Sequence, residues 1–97
     1  MAQKIVWTSR ALKDYEAVAT YVLSYFGENT FSKFSSLLTR KIASIQSNPQ
    51  LYPATGKRKD IRKAVVSKRL IIFYRYKIGR QEIEIISLWD TRKKINQ

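Results

Sequence analysis

Asp90, Thr91 and Arg92 follow directly on an apolar run from Ile83 to Trp89, and Lys93 and Lys94 extend them into a cationic tail. A carboxylate and an arginine two positions apart share one face of a strand. They can pair with each other or with neighbouring charges, a contact contributing about 0–1 kcal/mol at a surface. Alternatively they divide the work, Asp90 anchoring the strand end while Arg92 is presented to an anion. A second group, Lys57, Arg58, Lys59, Arg62 and Lys63, places five cations in seven positions with Asp60 alone opposing them. This density reads either as a solvated loop and edge strand or as a surface for an anionic partner. Histidine and cysteine are both absent. Zinc sites of the usual kind and Ser-His or Cys-His catalysis are thereby excluded, and the carboxylates are too scattered to suggest a metal. No cofactor is expected.

The 97 residues match one domain, 1–97, large enough for a modest core and too short for two. Lys and Arg total 19 against 7 Asp and Glu, a net charge of +12. Such an excess calls for an acidic partner: nucleic acid, an acidic protein or an anionic membrane. The lack of cysteine fits a reducing compartment. The N-terminus MAQKIVWTSR has no apolar stretch of signal-peptide length, and nothing elsewhere approaches a membrane span, so a cytoplasmic location is expected.

The elements that must position these charges follow from periodicity. Lys4 to Trp7 is a short run of strand formers ended by Thr8 and Ser9, with Ser9 placed to cap a helix. Leu12, Tyr15, Val18, Ala19, Val22 and Phe26 then recur at helical spacing up to Gly27, a candidate left-handed C-cap. Asn29 or Thr30 can cap a second helix carrying Phe31, Phe34, Leu38, Ile42 and Ile45 on one face, stopped by Asn48-Pro49. The spacing predicts an αα-hairpin with Tyr25, Phe31 and Phe34 in its core, any exposed part of which would form a docking groove. NPQLYPATGKRKD, from Asn48 to Asp60, carries both prolines and reads as an exposed loop. Three strand-like runs follow: Ile61 to Val66, Arg69 to Lys77 and Gln81 to Trp89, the last two divided by Ile78-Gly79-Arg80. Leu70, Ile72, Tyr74 and Tyr76 alternate onto one face, which can meet the helices. Arg69, Ile71, Phe73, Arg75 and Lys77 fall on the other, partly wet or covered by something outside this chain. An α+β domain is expected: an N-terminal strand, the αα-hairpin, then a three-stranded antiparallel meander with the helices on one face of a small sheet.

The element order, the NPQLYP loop with its basic patch, the IIFYRY strand and the terminal LWDTRKK together resemble the RelE/ParE superfamily of bacterial type II toxins. The resemblance covers nearly the whole chain. Many members end the last strand in a D-x-R element continued by Gln-Asn-Pro, where this sequence has Lys93-Lys94-Ile95. It implies a growth-inhibiting toxin, of the kind that serves plasmid stabilisation, neutralised by a cognate antitoxin with an acidic segment that folds on binding. RelE-like members cut messenger RNA on the ribosome, and ParE-like members poison DNA gyrase.

Cutting RNA without metal or histidine requires the 2′-hydroxyl to be deprotonated, the phosphorane charge stabilised and the 5′-oxygen protonated, which converging lysines, arginines and a tyrosine can do. Arg92 matches the strand-end arginine of RelE-like sequences. Their C-terminal tyrosine has no counterpart, since no Tyr follows Tyr76. Where they place an arginine three residues before the strand tyrosine, this chain has Ile71, with Arg69 two positions earlier as a substitute. Arg62, Arg69, Arg75 and Arg92 are the phosphate-clamp candidates if the protein is a metal-independent endoribonuclease. The missing positions favour a ParE-like toxin that binds its target, with Lys57, Arg58, Arg62, Lys63, Lys68, Arg69, Arg75, Arg92 and Lys93 contacting target or antitoxin, and Tyr74 and Asp90 structural. A general RNA-binding module is the third reading, although RNP-like aromatics and a KH-type GxxG are both absent.

Overall fold

The computed structural model of the chain describes residues 3–56 and 60–91. The run KIVW forms β1, Lys4–Trp7. Thr8 rather than Ser9 caps the helix that follows: its hydroxyl accepts the Ala11 N–H at 3.0 Å and donates to the Ile86 carbonyl at 2.9 Å. A β-branched residue in extended conformation (φ −72°, ψ 163°) suits the exit from a strand. One hydroxyl thereby fixes the helix start and ties it to the last strand.

Helix α1 runs from Ser9 to Ser47, broken inside only at Gly27 (φ 86°, ψ 179°). A straight helix of this length would extend about 58 Å, whereas the longest dimension of the molecule is 41 Å. The helix therefore folds back at Gly27, and Tyr15 on the first arm stacks on Phe34 of the second with ring centres 6.2 Å apart. This corrects the expected αα-hairpin: one helix, kinked at Gly27, stands where two separately capped helices joined by a connection were expected. Gly27 adopts a backbone conformation open essentially to glycine alone and makes the reversal in one residue, so no loop remains for Asn29 or Thr30 to cap. Phe31 and Phe34 pack together, but Tyr25 is 73% exposed, outside the core. Asn48 ends the helix, its N–H returning to the Ser44 carbonyl.

Strands β2 (Arg62–Ser67), β3 (Leu70–Lys77) and β4 (Glu82–Asp90) are antiparallel neighbours, and β1 joins the free side of β4 in parallel, giving the order β1-β4-β3-β2. The sheet is mixed, a correction to the antiparallel meander. Parallel addition sets Ile5 beside Ile83 and Trp7 beside Ile85. The apolar residues of β1 thus enter the layer already occupied by those of β4. A register shift opposite Phe73 and Tyr74 makes Ile86 an extra residue in β4, and its carbonyl is the one that Thr8 satisfies. Beyond the reach of β1, the Leu88 N–H finds the Asp14 carboxylate at 3.1 Å.

The connection between β3 and β4 is a 3-10 turn, Ile78–Arg80, closed by Gln81 in the left-handed region (φ 51°). The core lies between α1 and one face of the sheet. Ile45, Ile72, Tyr74, Ile83 and Ile85 are fully buried there, each aliphatic side chain contributing about 1.5–3 kcal/mol. Among the described residues, no helix is long and apolar enough to cross a membrane.

Candidate partner-binding surfaces

Tyr74 lies on the helix-facing side of β3, and its hydroxyl donates to the Pro49 carbonyl at 2.6 Å. Burial pushes its phenol from 10.0 up to about 12, against the nearby Arg62 charge and with a smaller upward push from Tyr52. Tyr52 meets the Tyr74 ring edge-on at 6.5 Å and exchanges a 2.7 Å hydrogen bond with the Ser44 hydroxyl, while the Lys41 ammonium sits 5.3 Å over its ring. NPQLYP is therefore less exposed than expected. Pro49 is buried and Tyr52 half-buried, because Tyr74 and Ser44 each offer the loop a hydrogen bond.

Arg62 belongs to the same anchor. It faces Tyr74 across the β2–β3 pair and donates to the Tyr52 carbonyl at 2.7 Å and, more weakly, to the Gln50 carbonyl at 3.3 Å. Arg75 is on the opposite face of the sheet. There it binds Glu84 at 3.0 Å and Asp60 at 3.1 Å, and Lys77 lies 3.7 Å from both Glu82 and Glu84. The face with alternating cations is thus largely neutralised at this end.

Arg69 sits in the β2–β3 turn, before β3 begins, rather than on the strand as the periodicity suggested. Its backbone N–H takes the Ser67 hydroxyl, and its carbonyl accepts the Thr91 N–H at 3.0 Å; the Thr91 hydroxyl donates to the Lys68 carbonyl at 3.1 Å. Thr91 thereby clasps the end of β4 to this turn. Arg69 lines a groove of about 250 Å³ between the folded helix and the sheet, whose apolar walls include Val18, Val22, Phe26, Leu37 and Val66. Lys33 and Asp90 are also in its lining, Lys33 exposed and Asp90 only 5% exposed. Lys63 and Lys68 are exposed on β2 and in the turn, and no ion pair among the described residues involves them or Arg69.

Arg62, Arg69 and Arg75 accordingly occupy three places: the loop anchor, the groove and the ion-paired face. They do not converge on one point where a phosphate could sit. Lys57, Arg58, Arg92 and Lys93 lie outside the described residues. Sequence reasoning missed the groove residues Leu37 and Val66, although Leu37 interrupts a polar helix surface and could have been noticed on that ground. It also passed over Asp14, whose bond to a strand N–H has no signature in sequence.

The two-layer α+β arrangement, with strand order β1-β4-β3-β2 under a folded-back helix, is shared with solved toxins of the RelE/ParE type. A family model described as "ParE toxin of type II toxin-antitoxin system, parDE" matches residues 5–95. The chain belongs to that family. Among solved structures, the chromosomal ParDE toxin-antitoxin system from P. aeruginosa is similar at a TM-score of 0.75 and 16% identity, covering 92% of this chain and 96% of that one. The RelBE2 complex from Mycobacterium tuberculosis follows at 0.67 and 11%, covering 93% and 99%, and the intact E. coli RelBE complex at 0.65 and 16%, covering 92% and 96%. At these identities the likeness is one of fold. No curated protein sequence matches the chain.

Proposed function

We propose that this family member is a growth-inhibiting toxin that binds an essential target, DNA gyrase, rather than cutting RNA, and that an acidic segment of a cognate antitoxin holds it inactive. The observation that carries the reading is the dispersal of Arg62, Arg69 and Arg75. Arg62 is held by loop carbonyls, Arg75 by carboxylates on the opposite face of the sheet, and Arg69 lines the groove beside the β2–β3 turn, whereas metal-free RNA cleavage needs its proton carriers and charge stabilisers around one phosphate. The antitoxin reading rests on the groove. Its apolar walls suit the side chains of an amphipathic segment, and exposed Lys33 and Arg69 suit carboxylates on its flank.

The test is induced expression in a bacterium, followed in one culture by assays for gyrase-dependent DNA breaks and for ribosome-phased message cuts. DNA breaks with intact messages are expected. Codon-phased cuts without breaks would overturn the reading in favour of the endoribonuclease. Leu37→Glu, which places a charge on the groove wall, should weaken antitoxin binding roughly tenfold or more while growth arrest persists, measured by titration with the antitoxin's acidic half.

A further inference from the structure

Among the described residues, α1 covers one face of the sheet and leaves the other open, and that open face is divided by composition. Toward the start of β4, cross-strand partners run Lys4, Glu82, Lys77 in one row and Val6, Glu84, Arg75 in the next, with Asp60 adjoining. This half is ionic and internally paired. Toward the end of β4 the row is Val65, Ile71, Trp89, and its neighbour is Lys63, Phe73, Ser87. Val65 is 49% exposed and Trp89 40%. A strip of four large apolar side chains therefore crosses three strands on a molecule whose net charge is +12.

We infer that this strip is the docking surface for the growth-arrest target, and that it takes a protein surface presenting apolar side chains beside carboxylates. The inference rests on the reading above that the toxin acts by binding. Three occupants compete, and physical chemistry separates them. A second copy would bring together two molecules of net charge +12, with Lys63 of each at the contact. A nucleic acid needs an unbroken cationic track beside its stacking platforms. Here a phosphate backbone leaving the strip along the sheet would meet Glu82, Glu84 and Asp60, and Arg75 and Lys77 are already committed to them. Val65 and Ile71, moreover, have no ring to stack on a base. An acidic protein surface meets neither obstacle: it buries the strip and sets carboxylates against Lys63, which faces Phe73 across the β2–β3 pair. The strip and the groove lie on opposite faces of the sheet, so the target and the antitoxin segment would contact different residues.

The test uses the full chain with Val65→Glu, Val65→Lys and Trp89→Ala. Three readouts are taken: growth arrest on induction, affinity for purified gyrase, and affinity for a synthetic peptide of the antitoxin's acidic half. Val65→Glu and Trp89→Ala should relieve arrest and weaken gyrase binding about tenfold or more, with peptide affinity unchanged. Val65→Lys, which adds an attractive charge at the same exposed position, should retain most of the arrest. Undiminished arrest in both Val65→Glu and Trp89→Ala overturns the inference, as does loss of peptide binding in step with loss of arrest. Weakened binding of a single-stranded RNA oligonucleotide, with gyrase binding intact, overturns the choice of a protein partner. If the unsubstituted chain arrests growth without binding gyrase, the gyrase reading fails by itself, and relief of arrest by Val65→Glu still decides the strip.

Discussion

Replacing Tyr74 by Phe deletes one oxygen and leaves the Pro49 carbonyl buried without its donor. A cost of about 1–3 kcal/mol is expected, read as a lower midpoint in denaturant unfolding. The same hydroxyl sets a pH dependence. Its pKa is raised from 10.0 to about 12 in the folded state by burial, so its stabilising effect is complete below pH 10 and is lost as pH rises through 12. Wild type should lose stability across that window more steeply than Tyr74→Phe. The arginines separate in a parallel way. Arg62→Ala removes charged donors from loop carbonyls and should cost about 1.5–3 kcal/mol; Arg75→Ala breaks partly exposed ion pairs and should cost about 0–1 kcal/mol. Sequence spacing alone could group these arginines as candidates, because alternation assigns a strand face. It could not say that Arg62 would be taken by carbonyls 10 and 12 residues away and Arg75 by two carboxylates.

At the scale of elements, Gly27 and Gln81 carry the backbone conformations that side chains resist. An added Cβ at Gly27 meets nothing within 4 Å, so the penalty of Gly27→Ala is purely conformational, about 1–3 kcal/mol. Thermal unfolding measures it, and a neutral result would mean that the fold-back is made elsewhere. Gln81 presents the reverse case. It occupies the left-handed region at φ 51°, and Gln81→Gly should stabilise the turn by up to about 1 kcal/mol, the relief of strain being partly offset by chain entropy. The periodicities of 3.6 and 2 made the helical and strand segments legible. Gly27 was legible as a stop, but not as a stop after which the helix resumes at once. Gly79, the glycine of the β3–β4 connection, misdirects attention from Gln81, since the 3-10 turn passes the positive φ to the residue after it. The parallel pairing of β1 had no local signal either.

For the whole molecule, the charge of +12 makes association with any acidic partner sensitive to salt. The association rate with the antitoxin's acidic half should fall steeply between low and physiological ionic strength, with the dissociation rate less affected. Stopped-flow mixing at several salt concentrations measures both; a flat association rate would mean that the groove's apolar walls act alone. The charge, the succession of helical and strand segments and the exclusion of histidine and cysteine chemistry were legible because they depend on residue type and short-range spacing; the same spacing grouped Leu12 and Phe26 with the core positions of the helix, yet they are 49% and 48% exposed. Long-range packing alone decided that α1 folds back at Gly27, that β1 pairs in parallel with β4, that Arg62, Arg69 and Arg75 lie in three different surroundings, and that an apolar strip faces away from the core. Those outcomes depend on which distant groups meet, as with Thr8 at Ile86, Asp14 at Leu88 and Tyr74 at Pro49, and such meetings are set by packing across the whole chain.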